Sequence, residues 1–358
     1  MSQSPQSSAS PIRVAIVGFG PAGAWFHAPF VTATPGLELT AIVTGNPERA
    51  AQARSEYPNA VIHPSTDALF RERAAELVVV AAPNVAHVPL ATAAIEVGIP
   101  VVVDKPLAVT AREARELASL ARSRKVPLTV YQNRRFDGDF QTLRSLVEEG
   151  ALGEPVRFES RFERWRPEPK PGWRESGDPA HGGGLLMDLG SHLIDQAVQL
   201  FGPVASVYAE VDRRRPNVAV DDDVFVALTH RSGVRSHLWM SVLASQLGPR
   251  FRLLGARGSF VKFGMDPQED ALRAGRRPAG DASWGADPEE RWGQVGTMDD
   301  LHRVPTKAGN YGHFYASVER ALRTGEPMPV DPEDACRTLE IIEAARRSSA
   351  ERTVVELP

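Results

Sequence analysis

Residues 181–196, "HGGGLLMDLGSHLIDQ", carry Asp188, His192 and Asp195 at offsets of four and three within an otherwise apolar run. On a helix turning 100° per residue these three side chains fall within one narrow arc. Leu186, Leu189, Leu193, Ala197 and Leu200 fall on a different side and read as core. The polar stripe is then either the solvated back of an amphipathic helix or the wall of an active site. A histidine titrates near neutral pH and suits proton transfer, and a carboxylate one turn away could orient it or bind a hydroxyl. Gly190, in mid-helix, costs about 1 kcal/mol against alanine. Gly182, Gly183 and Gly184 remove side chains where something else could approach the backbone. The same stripe has metal-ligand spacing, but without a Cys/His cluster no metal is expected.

A second group of residues reads as a nucleotide cradle. Gly18, Phe19, Gly20, Pro21, Ala22 and Gly23 give G-x-G-x-x-G spacing directly after the run "VAIV" and at the opening of a helical pattern. The first glycine permits a tight turn, the second a close approach of the backbone to a pyrophosphate, and the third close packing of helix on strand. The next strand should end at Thr44, Gly45 and Asn46, with Arg49 following, where an NAD site usually carries an acid. With no carboxylate to repel a 2′-phosphate, NADP is the expected cofactor and NAD the alternative. Later strand ends read Ala82-Pro83-Asn84, Asp104-Lys105-Pro106 and Asn133-Arg134-Arg135, at the edge where ligands bind in open α/β sheets. Lys105 stands out, because the chain has only five lysines among 41 basic residues and this one lies between a valine run and a proline. His87 reads equally well as a helix cap or a cofactor neighbour. His27, His63, His230 and His237 carry no spacing argument and read as structural or surface residues.

The elements that must position these groups follow from the hydrophobic pattern. "IRVAIVGFG", "LELTAIVTGN", "ELVVVAAPN", "PVVVDKP" and "PLTVYQNRR" are short β-branched runs separated mostly by helical segments, the pattern of a buried parallel sheet. Thr110 and Glu113 form a capping box ahead of one such helix. The expected fold is α/β plus α+β. A doubly wound Rossmann domain spans residues 11–133 and a domain on a mostly antiparallel open sheet spans 134–358, after a disordered tail over 1–10. Alternating runs such as "VRFESRFERW", "DDVFVALTHRSG" and "VRSHLWMSVLAS" supply that second sheet. Residues 264–309 read as a loop, and the last helix, about 331–348, is expected to pack back on the first domain. A net charge of -4 and a pI near 6.2 argue against nucleic-acid and anionic-membrane partners. The single cysteine, Cys336, excludes an internal disulfide framework and fits a cytoplasmic location. No apolar run approaches the roughly 18 residues of a spanning helix.

Together these elements resemble the glucose–fructose oxidoreductase / inositol dehydrogenase (Gfo/Idh/MocA) family over nearly the whole chain. The resemblance implies that Lys105 of "DKP", with Asp188 and His192 of "DLGSH", form the catalytic set, matching the family's E-K-P and D-x-G-x-H motifs. Asp104 departs from the glutamate of that motif. "FHAPF", "YQNRRFDGDF" and "DLGSHLIDQAVQLFG" are similar to the branch containing NADP-dependent scyllo-inositol dehydrogenases, which again implies NADP. The implied activity is hydride transfer between the nicotinamide and a secondary alcohol of a sugar or inositol-like polyol, with His192 or Lys105 moving the proton. A lysine ammonium would need desolvation or a neighbouring cation to act as base at neutral pH. Arg135, Arg174, Trp284 and Tyr311 are further candidates for substrate contacts. A homodimer or homotetramer through the C-terminal sheet is expected. Two other readings are a sugar-sensing regulatory protein that has lost its chemistry, and a lyase or glycosidase recycling bound NAD.

Overall fold

The computed structural model describes residues 10–72, 74–169 and 181–358. Residues 1–9 of the expected tail and the candidate Arg174 lie outside the described residues. Six parallel strands form the first sheet: β1 (Ile12–Val17), β2 (Leu37–Val43), β3 (Val61–His63), β4 (Leu77–Val80), β5 (Val101–Asp104) and β6 (Leu128–Tyr131). Their order is β3-β2-β1-β4-β5-β6, so the chain reverses direction across the sheet between β1 and β4. That reversal opens a crevice at the carboxyl ends of β1 and β4, where nucleotides bind in such folds. β4 is buried over its whole length, which explains its unbroken "LVVV". β3 escaped the sequence reading, since three residues with Val61 exposed at a sheet edge leave no periodic signal.

Nine strands form the second sheet: β7 (Pro155–Glu163), β8 (Val204–Asp212), β9 (Asp223–His230), β10 (Arg235–Ser241), β11 (Phe251–Gly255), β12 (Ser259–Lys262), β13 (Gly293–Gly296), β14 (Leu301–Val304) and β15 (Val355–Glu356). The order is β14-β13-β12-β11-β7-β10-β9-β8-β15, antiparallel throughout except for the β7–β10 pair. β9 alternates strictly between buried and half-buried residues, as a sheet with one covered face requires. The expected loop over 264–309 is corrected, because it contains a helix (Gln268–Arg273) and strands β13 and β14. These pieces are short, β13 has two glycines in four residues and β14 is an exposed edge, so neither repeats a pattern long enough to read.

One helical run covers the inner face of this sheet. It starts as a π-helical turn at Leu186–Gly190 and continues as an α-helix over Ser191–Phe201. Leu186, Leu189, Leu193 and Ala197 are buried, and Phe201 packs on Phe158, which stacks on Phe251 at 5.7 Å. Burying a side chain of this size contributes about 2 kcal/mol. Leu200 is only half-buried, at the rim. Gly190 has a packing reason: a Cβ there would lie 3.1 Å from Leu186 and 3.3 Å from Met240 of β10. The final helix, Pro332–Glu351, packs against both β8 and the helix Ala111–Arg124 of the first sheet. Glu343 accepts the Ala111 backbone N–H at 2.8 Å, and Arg122 pairs with Glu333 at 2.5 Å. Among the described residues, no helix is long and apolar enough to cross a membrane.

Candidate active site

The glycine turn after β1 has the stereochemistry its sequence calls for. Gly18 sits at φ +100°, and a Cβ on it would stand 2.4 Å from the Ala81 carbonyl oxygen of the neighbouring strand end. A Cβ on Gly23 would meet the Gly18 carbonyl at 2.1 Å. Around Gly20 the nearest group is the Arg49 guanidinium, 3.6 Å from where a Cβ would stand, so its backbone is open to a ligand. The loop leads into a helical run starting at Pro21, whose N-terminal end favours an anion. These features fit a dinucleotide: two glycines fold the turn and the third leaves room for a pyrophosphate. Phe19 turns inward, 1% exposed and edge-on to Tyr57, so only its backbone faces the loop.

At the end of β2, Asn46 caps the helix Pro47–Glu56 by accepting the Arg49 backbone N–H at 2.9 Å. Its own N–H donates to Thr44 Oγ1 at 3.4 Å. That turn brings the Arg49 guanidinium beside Gly20. A small polar turn and a cation therefore occupy the corner where a carboxylate would select a free ribose hydroxyl.

Lys105 projects from the end of β5 toward the second sheet's helical run. Its Nζ donates to Asp188 Oδ1 and to the Asp188 carbonyl, both at 2.7 Å. Asp104 accepts the Lys105 backbone N–H at 2.9 Å, and its carboxylate lies 3.8 Å from His27 Nε2. Burial alone would raise the Asp104 pKa, but His27, Lys105 and His87 together hold it below the ordinary carboxylate value. His87 is 1% exposed and its ring spans the carbonyls of Pro106 (2.7 Å) and Ala82 (2.9 Å). It thereby clamps the β4 and β5 loops together, and burial lowers its pKa. Asn84 donates its amide to the Gly182 carbonyl at 3.0 Å. Pro83 and Pro106 shape these two loops, and Asn133 borders the cleft from the end of β6.

Gly182 and Gly184, ahead of the helical run, make room for protein side chains: a Cβ on Gly182 would lie 3.1 Å from Asn84 Nδ2. Gly184, at φ +94°, would place a Cβ 2.2 Å from Asp221 Oδ1. Asp221 Oδ2 in turn accepts the Leu186 backbone N–H at 2.7 Å and so caps the π-helical turn. That capped turn presents Asp188 to Lys105 and places His192 in the same cleft, a cavity of about 250 Å³. His192 is 5% exposed, and its Nδ1 is buried with no hydrogen-bond partner among the described residues. Its pKa is driven well below 6.5, first by burial and then by Lys105, Arg134 and Arg250. The imidazole is therefore neutral at neutral pH.

Five residues differ from the sequence reading. Asp188 engages Lys105 and not His192. Asp195 does not border the cleft; it is buried and holds Arg135 in a fork at 2.5 and 2.8 Å. Arg135 also pairs with Asp334 at 2.9 Å, so as a substrate contact it is corrected to a buried structural link. Tyr311 is corrected likewise: it is fully buried and donates to Asp137 Oδ1 at 2.7 Å. Trp284 donates to Gln268 at 3.0 Å and lines a separate hollow with Ala33 and His313. The cleft instead uses residues the sequence reading did not single out. Phe162, Arg164 and Arg166 come from β7 and its extension, facing Trp25, Phe26 and Arg134. The period-two spacing of "FERWR" was the available signal.

Residues 12–132 match the family model described as "Oxidoreductase family, NAD-binding Rossmann fold". Residues 144–357 match that described as "Oxidoreductase family, C-terminal alpha/beta domain". The oxidoreductase YdgJ of Escherichia coli is 39% identical over 96% of this chain and 98% of its own. The scyllo-inositol 2-dehydrogenase (NADP(+)) IolW of Bacillus subtilis is 35% identical over 97% of this chain and 96% of its own. Among solved structures, the oxidoreductase yvaA of Bacillus subtilis superposes with a TM-score of 0.91 at 34% identity, covering 98% of this chain and all of that one.

Proposed function

The chain belongs to the Gfo/Idh/MocA oxidoreductase family and is an NAD(P)-dependent dehydrogenase; on that premise we propose that it interconverts a secondary alcohol and a ketone on a sugar or inositol-like polyol, in the cytoplasm, with NADP preferred. The observation that supports this most is the bond from Lys105 Nζ to Asp188 Oδ1 across a cleft that Pro21 and Ala22 of the glycine loop also border. The near full-length relative named as an NADP(+)-dependent inositol dehydrogenase supports the substrate class and the cofactor.

When bound, the nicotinamide supplies the hydride acceptor. The glycine turn and the helix start hold the diphosphate, and Arg49 with Thr44 and Asn46 holds the 2′-phosphate. Lys105, with Asp188 as its counter-ion, donates to the reacting oxygen and stabilises the negative charge that grows there as the C–H bond breaks. Neutral His192 takes the hydroxyl proton, so the products are a ketone, reduced cofactor and one proton. Reduction reverses each movement.

Two substitutions test parts of this reading. Arg49→Ala should raise KM for NADP+ by about tenfold or more while KM for NAD+ moves less than about threefold; equal effects on both cofactors would remove Arg49 from the 2′-phosphate. Asp188→Asn keeps the shape and removes the counter-ion of Lys105. Turnover should fall by about tenfold or more, with a melting temperature within about 4 °C of the wild type. Normal kinetics in that variant would leave Asp188 an ordinary ion-pair partner.

A second copy is expected on the outer face of the nine-stranded sheet. Phe225, His237 and Trp239 form a half-exposed aromatic row there, with ring centroids 5.2 to 6.1 Å apart. Light scattering should return a dimer or tetramer that Trp239→Glu dissociates; a monomeric wild type would refute the assignment.

A further inference from the structure

Among the described residues, six cations and four carboxylates border the cleft. Most of the cations are internally matched. Lys105, Arg134, Arg215 and Arg273 pair with Asp188, Glu269, Asp222 and Glu269 respectively, at 2.9 Å or less. Arg164 is different. Its guanidinium stacks on the Phe162 ring at 4.8 Å, and no carboxylate lies within ion-pairing distance of it among the described residues. Arg134 lies over the same ring at 4.7 Å and Arg250 at 5.8 Å, so three guanidiniums share one aromatic platform.

Elementary electrostatics makes this arrangement costly, because burial outweighs the attraction that Glu269 and Asp188 exert on Arg164 from beyond ion-pairing distance. A half-buried guanidinium carries its charge and five N–H donors, and burial disfavours that charge, here lowering the Arg164 pKa. The hydroxyl of a neutral polyol can accept one or two of those donors without neutralising anything. A carboxylate or phosphate oxygen pair fits the guanidinium fork and offsets the charge as well. Arg164 also stands on the second-sheet wall of the cleft that Lys105 enters from the first sheet. A ligand can therefore reach both groups through different ends.

Resting on the dehydrogenase reading above, we propose that the substrate is an acidic polyol, whose carboxylate or phosphate ester docks on Arg164 while its reacting carbinol faces Lys105 and His192. The carbinol C–H leaves as hydride to the bound oxidised nicotinamide, and its O–H proton passes to His192. The acidic group is retained unchanged, so the product is a keto acid or a keto-sugar phosphate plus reduced cofactor.

The test is calorimetric titration of the NADP+-loaded protein with two acidic probes, D-gluconate and an inositol monophosphate, against D-glucose and myo-inositol. At least one acidic probe should bind about tenfold or more tightly than its neutral counterpart. Arg164→Gln should abolish that advantage, Arg164→Lys should retain part of it, and affinity for the neutral compounds should change by less than about threefold. The stronger acidic probe tells carboxylate from phosphate. No acidic advantage, or an equal loss for acidic and neutral compounds in Arg164→Gln, would overturn the proposal. Reduced-nicotinamide absorbance is read on the same mixtures. Arg164-dependent binding of an acidic probe without cofactor reduction would uphold the anion site and refute the dehydrogenase reading instead.

Discussion

Lys105→Met should leave a folded protein that binds cofactor with near-normal affinity and turns over at no more than about a thousandth of the wild-type rate. Methionine preserves the aliphatic stem, so packing against the β5 loop survives. What disappears is the ammonium that bridges to Asp188 at 2.7 Å and that we propose stabilises charge on the reacting oxygen. The same change removes the Lys105 ion pair from Asp188 in a cleft that is partly closed to water, so part of the loss comes from weakening the hold on that carboxylate. Cofactor affinity should persist because Gly18 and Gly20 shape the loop after β1, whereas the Lys105 ammonium bonds to Asp188. Fluorescence titration with reduced cofactor and single-turnover kinetics separate the two effects. A variant that kept a tenth or more of the rate would remove Lys105 from the chemistry.

His192→Asn should cost about 10²–10³-fold in turnover, for a reason that pH can isolate. Burial first, then Lys105, Arg134 and Arg250, hold the imidazole pKa well below 6.5, so the base is already unprotonated throughout the neutral range. Alcohol oxidation should show no loss attributable to this histidine as pH falls from about 8 to about 6. Its effect on stability has the opposite visibility. The folded pKa lies below the unfolded value of 6.5, so below that pH the unfolded chain binds the proton more tightly. The neutral histidine's contribution to stability is present above pH 6.5 and is lost as pH falls toward the folded value. His192→Asn should therefore flatten the fall in melting temperature between about pH 7 and pH 5. A wild-type activity limb centred near 6.5 that vanished in the variant would contradict this account.

Much of the architecture was legible because it rests on local chemistry. The runs that became β1, β2, β4, β5 and β6 are β-branched and bounded by glycine, proline or asparagine, and the strands β7 to β12 alternate as half-covered strands must. The glycine turn was legible for the same reason: its positive φ and its 2.1 Å conflict at Gly23 leave no other residue type. The short strands β3, β13 and β14 were not legible, since three or four residues carry no period.

The site divides along a similar line. Lys105, Asp188 and His192 could be picked out by residue type and spacing, but who touches whom is decided by tertiary approach. Asp188 points to Lys105, 83 positions away, and not to His192 one turn on. Asp195 had the right offset and went to Arg135, 60 positions away, a partner that local spacing does not reveal. The depressed His192 pKa was equally invisible in sequence, as it follows first from burial and then from Lys105, Arg134 and Arg250 arriving from other elements. Arg164 lies in an ordinary-looking charged stretch. That no carboxylate among the described residues lies within ion-pairing distance of it is a property of the assembled cleft.

The most direct test of the central claim is a rate measurement. Purified protein is mixed with NADP+ and a panel of sugars, inositols and sugar acids, and formation of the reduced cofactor is followed by absorbance. The account predicts net reduction with at least one secondary alcohol, faster with NADP+ than with NAD+, and lost in Lys105→Met. No net reduction with any alcohol, from a protein whose nicotinamide survives desalting, would contradict it and identify a recycler of bound cofactor.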